Sequence, residues 1–157
     1  MTTSISESTV EPTIRPAVQT DLSAIHRLET QCFVQPWPIE AFEQHLGTEA
    51  FFVALSEGSV IGFLVASVEA GFPGPIGHIK DLAVSPSHRR RGLGSRLLER
   101  GMVALRDGGA TRTSLEVRES NAEAIALYSS HGFHQAQRRL DYYADGETAL
   151  IMVRELS

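Results

Sequence analysis

Cysteine and lysine are both almost missing from this chain. Cysteine occurs once, at Cys32, which excludes an intramolecular disulfide and any thiolate metal cluster. A nucleophilic role for Cys32 would need a histidine brought close in space; the plainer reading is a small, half-buried apolar residue. Lysine also occurs once, at Lys80, so no Gly-Lys-Ser/Thr ending of a P-loop is present. No apolar run approaches the length of a bilayer span, so no membrane partner is expected. Met1 to Glu11 is polar and rich in Ser and Thr, without the charged start and apolar middle of a secretion signal, and the expected location is cytoplasmic. The histidines (26, 45, 78, 88, 131, 134) show no His-Glu-x-x-His or other ligand spacing, which predicts no metal. A net charge of −5 argues against broad nucleic-acid binding and predicts no DNA partner, although Arg89 to Arg91 forms a local basic patch.

The 157 residues, 42% of them apolar, suit one ordinary domain with a single core. Residues 1–12 read as a disordered tail and 13–157 as that domain. Thr13 to Ala17 reads as a strand, and Thr20 or Asp21 caps a helix carrying Leu22, Ile25, Leu28 and Glu29. The Gln35-Pro36-Trp37-Pro38 break ends it, and Ile39, Phe42 and Leu46 stand at helical spacing before Gly47. Phe51–Leu55 and Val60–Ala66 form a hairpin across Ser56-Glu57-Gly58-Ser59, and a third strand of the meander runs to Val84. Leu93, Leu97, Leu98, Val103, Ala104 and Leu105 trace a helical stripe stopped at Gly108-Gly109. Arg112 to Val117 alternates as a strand, and Ser120-Asn121-Ala122-Glu123 has capping-box spacing for a helix that Gly132 ends. Phe133–Leu140 and Glu147–Val153 flank a turn at Asp145-Gly146. The order β α α β β β α β α β β indicates a mixed α/β (α+β) fold, a mixed sheet with helices on both faces.

The densest information lies between His78 and Leu98. A strand-like segment ending in Leu82-Ala83-Val84 meets Arg89-Arg90-Arg91-Gly92-Leu93-Gly94 and then an amphipathic helix. Glycines let the backbone turn close to an anion, and the helix N-terminus offers unpaired amides and a favourable dipole. A dinucleotide fingerprint does not fit, because Leu97 stands where a third small residue belongs and seven residues separate Val84 from Gly92. Arg89-x-x-Gly92-x-Gly94 resembles instead the acetyl-CoA pyrophosphate loop of the GCN5-related N-acetyltransferase (GNAT) superfamily. Leu115-Glu116-Val117-Arg118, Ser120-Asn121, Ala124 and Leu127-Tyr128-x-x-x-Gly132-Phe133 look like its later segments, in order and at matching distances. The resemblance covers about residues 13 to 156 and implies a central, mostly antiparallel mixed sheet of about seven strands flanked by about four helices. Trp37 between prolines, Leu-Glu-Val-Arg and Tyr142-Tyr143-Ala144-Asp145-Gly146-Glu147 look most like RimI-type N-terminal acetyltransferases, with a protein or peptide N-terminus as acceptor, typically that of a ribosomal protein. The same tyrosine run and Ser87-His88-Arg89-Arg90 also resemble catalytic subunits of archaeal and eukaryotic N-terminal acetyltransferases.

A free α-amine with pKa near 8 is mostly protonated at neutral pH, so transfer needs a base. Glu116 can take the proton directly or through water, and the resemblance makes it the general base; residue pattern alone leaves a carboxylate paired with Arg118 or Arg112 equally open. Tyr128 has the proton to protect a departing thiolate, and the resemblance places it beside the coenzyme sulfur as general acid. The resemblance further implies pantetheine on the backbone of Leu82, Ala83 and Val84, and pyrophosphate on Arg89, Arg90, Arg91, Gly92, Leu93, Gly94 and Ser95. It also implies a coenzyme contact from Asn121. Trp37, Tyr142 and Tyr143 would face each other across the acceptor entrance, or Trp37 plugs the core. Two other functions stay open: acetylation of a small amine or internal lysine, and a non-catalytic RNA- or ribosome-binding module using Arg89 to Arg91.

Overall fold

A computed structural model describes residues 11–156, so the expected tail lies almost wholly outside the described residues. The chain runs β1 (Thr13–Pro16), α1 (Leu22–Cys32), α2 (Ile39–Gln44), β2 (Ala50–Ser56), β3 (Ser59–Glu69), β4 (Ile76–Val84), α3 (Leu93–Asp107), β5 (Arg112–Arg118), α4 (Ala122–Ser130), β6 (His134–Arg139) and β7 (Ala149–Glu155). Short 3-10 turns precede α1 and follow β4. This is the expected order of strands and helices, on one seven-stranded sheet ordered β1-β2-β3-β4-β5-β7-β6. Every neighbouring pair is antiparallel except β4 with β5. The final hairpin forms as expected, but β7 inserts between β5 and β6. Its Ala149–Met152 are therefore buried, while all of β6 is exposed.

Two apolar layers clothe the sheet. Leu93, Leu97, Leu98, Met102 and Leu105 of α3 pack with Tyr128, Phe133, Leu64, Ile79 and Leu115 on one face. Leu22, Ile25 and Leu28 of α1 and Phe42 of α2 pack with Phe51, Phe63 and Ala83 on the other. The stripe of α3 differs in detail from the sequence pattern: Gly101 and Met102 face the core, while Val103 is 45% exposed. Positions 97, 98, 101, 102 and 105 keep the 3.6-residue period, and 103 falls about a quarter turn away.

Two caps also differ from expectation. The α4 N-cap is Asn121, whose Oδ1 accepts the Ala124 amide at 3.1 Å. Ser120 instead donates its amide to Glu147 Oε2 at 2.9 Å, so the capping box is displaced by a competing long-range carboxylate. Asp21 stands at the N-cap of α1, but its carboxylate binds the Arg15 guanidinium (2.8 and 3.0 Å) and the Val18 amide (2.8 Å) rather than the helix.

Two irregularities of β4 shape the centre of the molecule. Val65 pairs with Asp81 and Ala66 with Ile79, leaving Lys80 as the extra residue of a bulge. The alternation of faces consequently flips: Ile79 packs under α3, whereas Ala83 packs under α1. On the other side, the parallel ladder with β5 extends only from Ile76 opposite Arg112 to Ile79 opposite Leu115. Beyond that point β4 and β5 each continue without pairing to the other, and the sheet opens into a cleft.

Candidate active site

One end of the cleft is an anion site made of backbone. Gly92 takes φ +77° just before α3, a left-handed conformation that suits glycine. Arg90 also stands at φ +63°, where an L side chain costs roughly 1–2 kcal/mol. The first intrahelical bond of this end runs from the Arg96 amide to the Gly92 carbonyl at 3.0 Å. The Leu93, Gly94 and Ser95 amides therefore point from the helix end without intrahelical partners, and no side chain caps it among the described residues. Their partial charges and the helix dipole create a positive potential there. A Cβ on Gly94 would stand 3.3 Å from Leu127 Cδ2, so this glycine also lets α3 approach α4.

A groove of about 540 Å³ continues from these amides along the unpaired edge of β4. It is lined by Leu82, Ala83, Val84, Arg89, Arg90, Gly92, Leu93, Gly94, Ser95, Asn121 and Tyr128, all singled out from sequence. Arg91 is exposed and does not line it. Arg89, exposed, lies along the rim: Nε donates to the Val84 carbonyl at 3.0 Å and Nη2 to Cys32 Sγ at 3.4 Å. Asn121 spends Oδ1 on its cap and keeps its amide group for the groove. Tyr128 packs edge-on against Phe133, and burial pushes its phenol well up, with the fields of Asp81 and Tyr143 adding to the effect. The hydroxyl stays protonated throughout any working pH.

Glu116 does not line this groove. It sits on β5 just beyond the last residue paired with β4, opposite Ile151 of β7, and its carboxylate accepts from His78 Nε2 at 2.8 and 3.1 Å. His78 Nδ1 lies 3.5 Å from Glu69, which also pairs with Lys80 at 2.8 Å. The bond to Glu116 raises the His78 pKa above its ordinary value against the opposing effect of burial, and Glu69 assists. The field of Glu116 helps to raise both Tyr142 and Tyr143, although burial is the larger cause in each. Tyr143, raised to about 12, contributes in turn to the field at Tyr128.

Arg118 ties the flanking loops together. Its guanidinium donates to Asp145 (2.9 Å), Glu147 (2.9 Å) and Gln35 (2.9 Å), and it lies 4.1 Å over the Tyr143 ring. Bonds from Ser120 and Arg118 hold Glu147 down to about 2. The loop after α1 and the loop after β6 therefore face each other, joined through Gln35. The Trp37 ring, however, stacks on Phe42 and His45 at 5.0 and 5.5 Å and packs against the α1–α2 core. Tyr142, 43% exposed, stands edge-on to Tyr143.

Sequence reasoning passed over His78, Arg118 and the lining residue Cys32 as site residues. His78 and Glu116 become partners only because β4 and β5 are adjacent and parallel, which local sequence does not announce. Among the described residues, no group of three or more His, Cys, Asp or Glu is placed to hold a metal ion, and no helix is long and apolar enough to cross a membrane.

Known proteins share this arrangement. The model of the acetyltransferase (GNAT) family matches residues 22–133. The chain is 36% identical over 155 residues to an N-alpha-acetyltransferase of Saccharolobus solfataricus, covering 92% of this chain and 93% of that one. It is also 36% identical over 152 residues to the [ribosomal protein bS18]-alanine N-acetyltransferase of Escherichia coli K12, covering 92% and 98%. The crystal structure of the ribosomal-protein-S18-alanine N-acetyltransferase from Escherichia coli superposes with a TM-score of 0.83 at 35% identity, over 94% of this chain and 95% of that one. Ard1 from Thermoplasma volcanium gives a TM-score of 0.87 at 29% identity, over 94% and 99%.

Proposed function

This chain belongs to the acetyltransferase (GNAT) family, and from that premise we propose that it acetylates the α-amine of a protein N-terminus from acetyl-CoA, with a ribosomal protein as acceptor. The observation that carries the donor reading is the continuous path from the unpaired edge at Leu82–Val84, past Tyr128, to the open amides of Leu93, Gly94 and Ser95. It fits the donor part by part: amides and Arg90 for the pyrophosphate, the strand edge for the pantetheine amides, and Tyr128 for the sulfur. Bound there, acetyl-CoA supplies the activated acetyl thioester.

The chain's own groups supply the proton chemistry. Glu116 takes a proton from the acceptor ammonium, directly or through water, and His78 holds its carboxylate in place, with Glu69 beside the other ring nitrogen. Tyr128, kept protonated by burial, donates to the sulfur as negative charge develops on it. The Arg118-braced loops, with Tyr142 and Tyr143, form the acceptor entrance. Identity to relatives named for N-terminal and ribosomal-protein acetylation supports this acceptor, and such an acceptor is met in the cytoplasm.

Peptides with varied first residues, incubated with acetyl-CoA and read by mass spectrometry, test the mechanism. A Glu116→Gln, Tyr128→Phe double variant should lose turnover by a factor on the order of 10² or more. Unchanged turnover would remove both residues from the mechanism.

A further inference from the structure

Beneath the acceptor loop lies a pair of acids that the transfer chemistry above does not use. Glu29 on α1 is 2% exposed, and Asp81, on the segment of β4 just past the bulge, stands within hydrogen-bonding range of it. Glu29 Oε1 and Asp81 Oδ2 are both shielded from solvent, and neither has a hydrogen-bond donor among the described residues. The other Glu29 oxygen, Oε2, accepts the backbone amide of Trp37 at 3.0 Å. Two adjacent shielded carboxylates cannot both carry charge without a cation, so one proton between them is the economical solution.

The surroundings contain no such cation in contact with the pair. From α1, Cys32 faces both acids, and burial raises its thiol, so it is neutral. From α4, Tyr128 lies within the field of Asp81 and is protonated. Arg89, beside Cys32, is engaged with Cys32 Sγ and the Val84 carbonyl rather than with either acid. Asp81 is raised well above the usual carboxylate range, first by burial and then by Glu29, with the Leu82 amide opposing. Asp81 is therefore the member that holds the shared proton, which also suits the amide that Glu29 accepts.

We propose that Glu29 and Asp81 share one proton and act as a positioning pair for the acceptor, holding the loop after α1 through the Trp37 amide. This deepens the proposed function and rests on its reading of that loop as one wall of the entrance. While the proton is present, Asp81 donates to Glu29, and Glu29 anchors the loop that carries Gln35 to Arg118. When the proton leaves as pH rises through the raised value of Asp81, two negative charges face each other, the anchor is pushed away and the acceptor wall loosens. The pair touches no reacting atom, so its effect falls on the acceptor KM more than on kcat.

Asp81→Asn is the informative substitution, since the amide keeps a donor toward Glu29 at every pH; Glu29→Gln removes the charge and serves as a second variant if the first does not fold. Three readouts decide. Infrared difference spectra at neutral pH should show a protonated carboxylic acid in the unsubstituted protein that Asp81→Asn lacks. Trp37 is the only tryptophan, and its emission should change as the shared proton is titrated away in the unsubstituted protein and stay flat over the same range in Asp81→Asn. The peptide KM should rise several-fold over that range, with the acetyl-CoA KM unmoved, and should not rise in Asp81→Asn. Absence of the carboxylic acid band, or superimposable pH profiles of the two proteins, would overturn the proposal. If no peptide N-terminus is acetylated at all, the proposed function fails while the infrared and emission results still decide the shared proton.

Discussion

At the scale of residues, the site is a set of protons held in place by neighbours. His78 shows the logic most clearly, because its imidazole lies between Glu116 and Glu69 and its pKa is raised. A raised folded value means that the stabilisation from this imidazolium is full below the ordinary value of about 6.5 and is lost as pH rises through the raised value. On the proposed mechanism Glu116 takes the proton of the acceptor ammonium once His78 is neutral. The acidic limb of log kcat/KM against pH should therefore follow the raised His78 value, and in His78→Gln that limb should move to lower pH. A limb unmoved by the substitution would show that His78 takes no part in proton movement. Glu116 and Tyr128 were legible in the sequence because each sits in a local motif. The partnership of His78 with Glu116 was not, since it depends on which strand lies beside β4. Trp37 had two readings open, and its stacking on Phe42 and His45 favours the core while its backbone amide serves the loop.

At the scale of elements, closeness of approach decides what each position tolerates. Gly101 lies on the buried face of α3, and a Cβ there would collide with Cδ2 of Leu64, which is itself fully buried. Gly101→Ala gains roughly 0.5–1 kcal/mol of helix propensity. Overpacking against an immobile Leu64 costs about 1–3 kcal/mol. The variant should therefore melt at lower temperature by calorimetry, and a higher melting temperature would mean that α3 sits further from β3 than described. Element order and the mixed sheet could be read from periodicity and turn residues. The bulge at Lys80, the insertion of β7 between β5 and β6, and the Arg118 hub could not. Each arises from pairing between segments far apart in the chain, where a single residue of register changes which side chains meet.

At the scale of the molecule, one break in the sheet explains the division of labour. The ladder between β4 and β5 stops at Ile79 opposite Leu115, so the groups proposed for the donor gather along β4 and the N-terminus of α3, while those proposed for the acceptor gather on β5 and the two braced loops. The Arg90–Ser95 turn sets arginine beside open helix-end amides in a chain whose net charge is −5, which suits a phosphate-bearing donor better than a polyanionic partner. The central claim is that the amine presented at this cleft is a protein's own N-terminus. A peptide carrying both a free α-amine and an internal lysine, incubated with acetyl-CoA and fragmented in the mass spectrometer, tests it most directly. Acetyl on the first residue alone is the predicted result, and acetyl on the lysine with the N-terminus left free would contradict it.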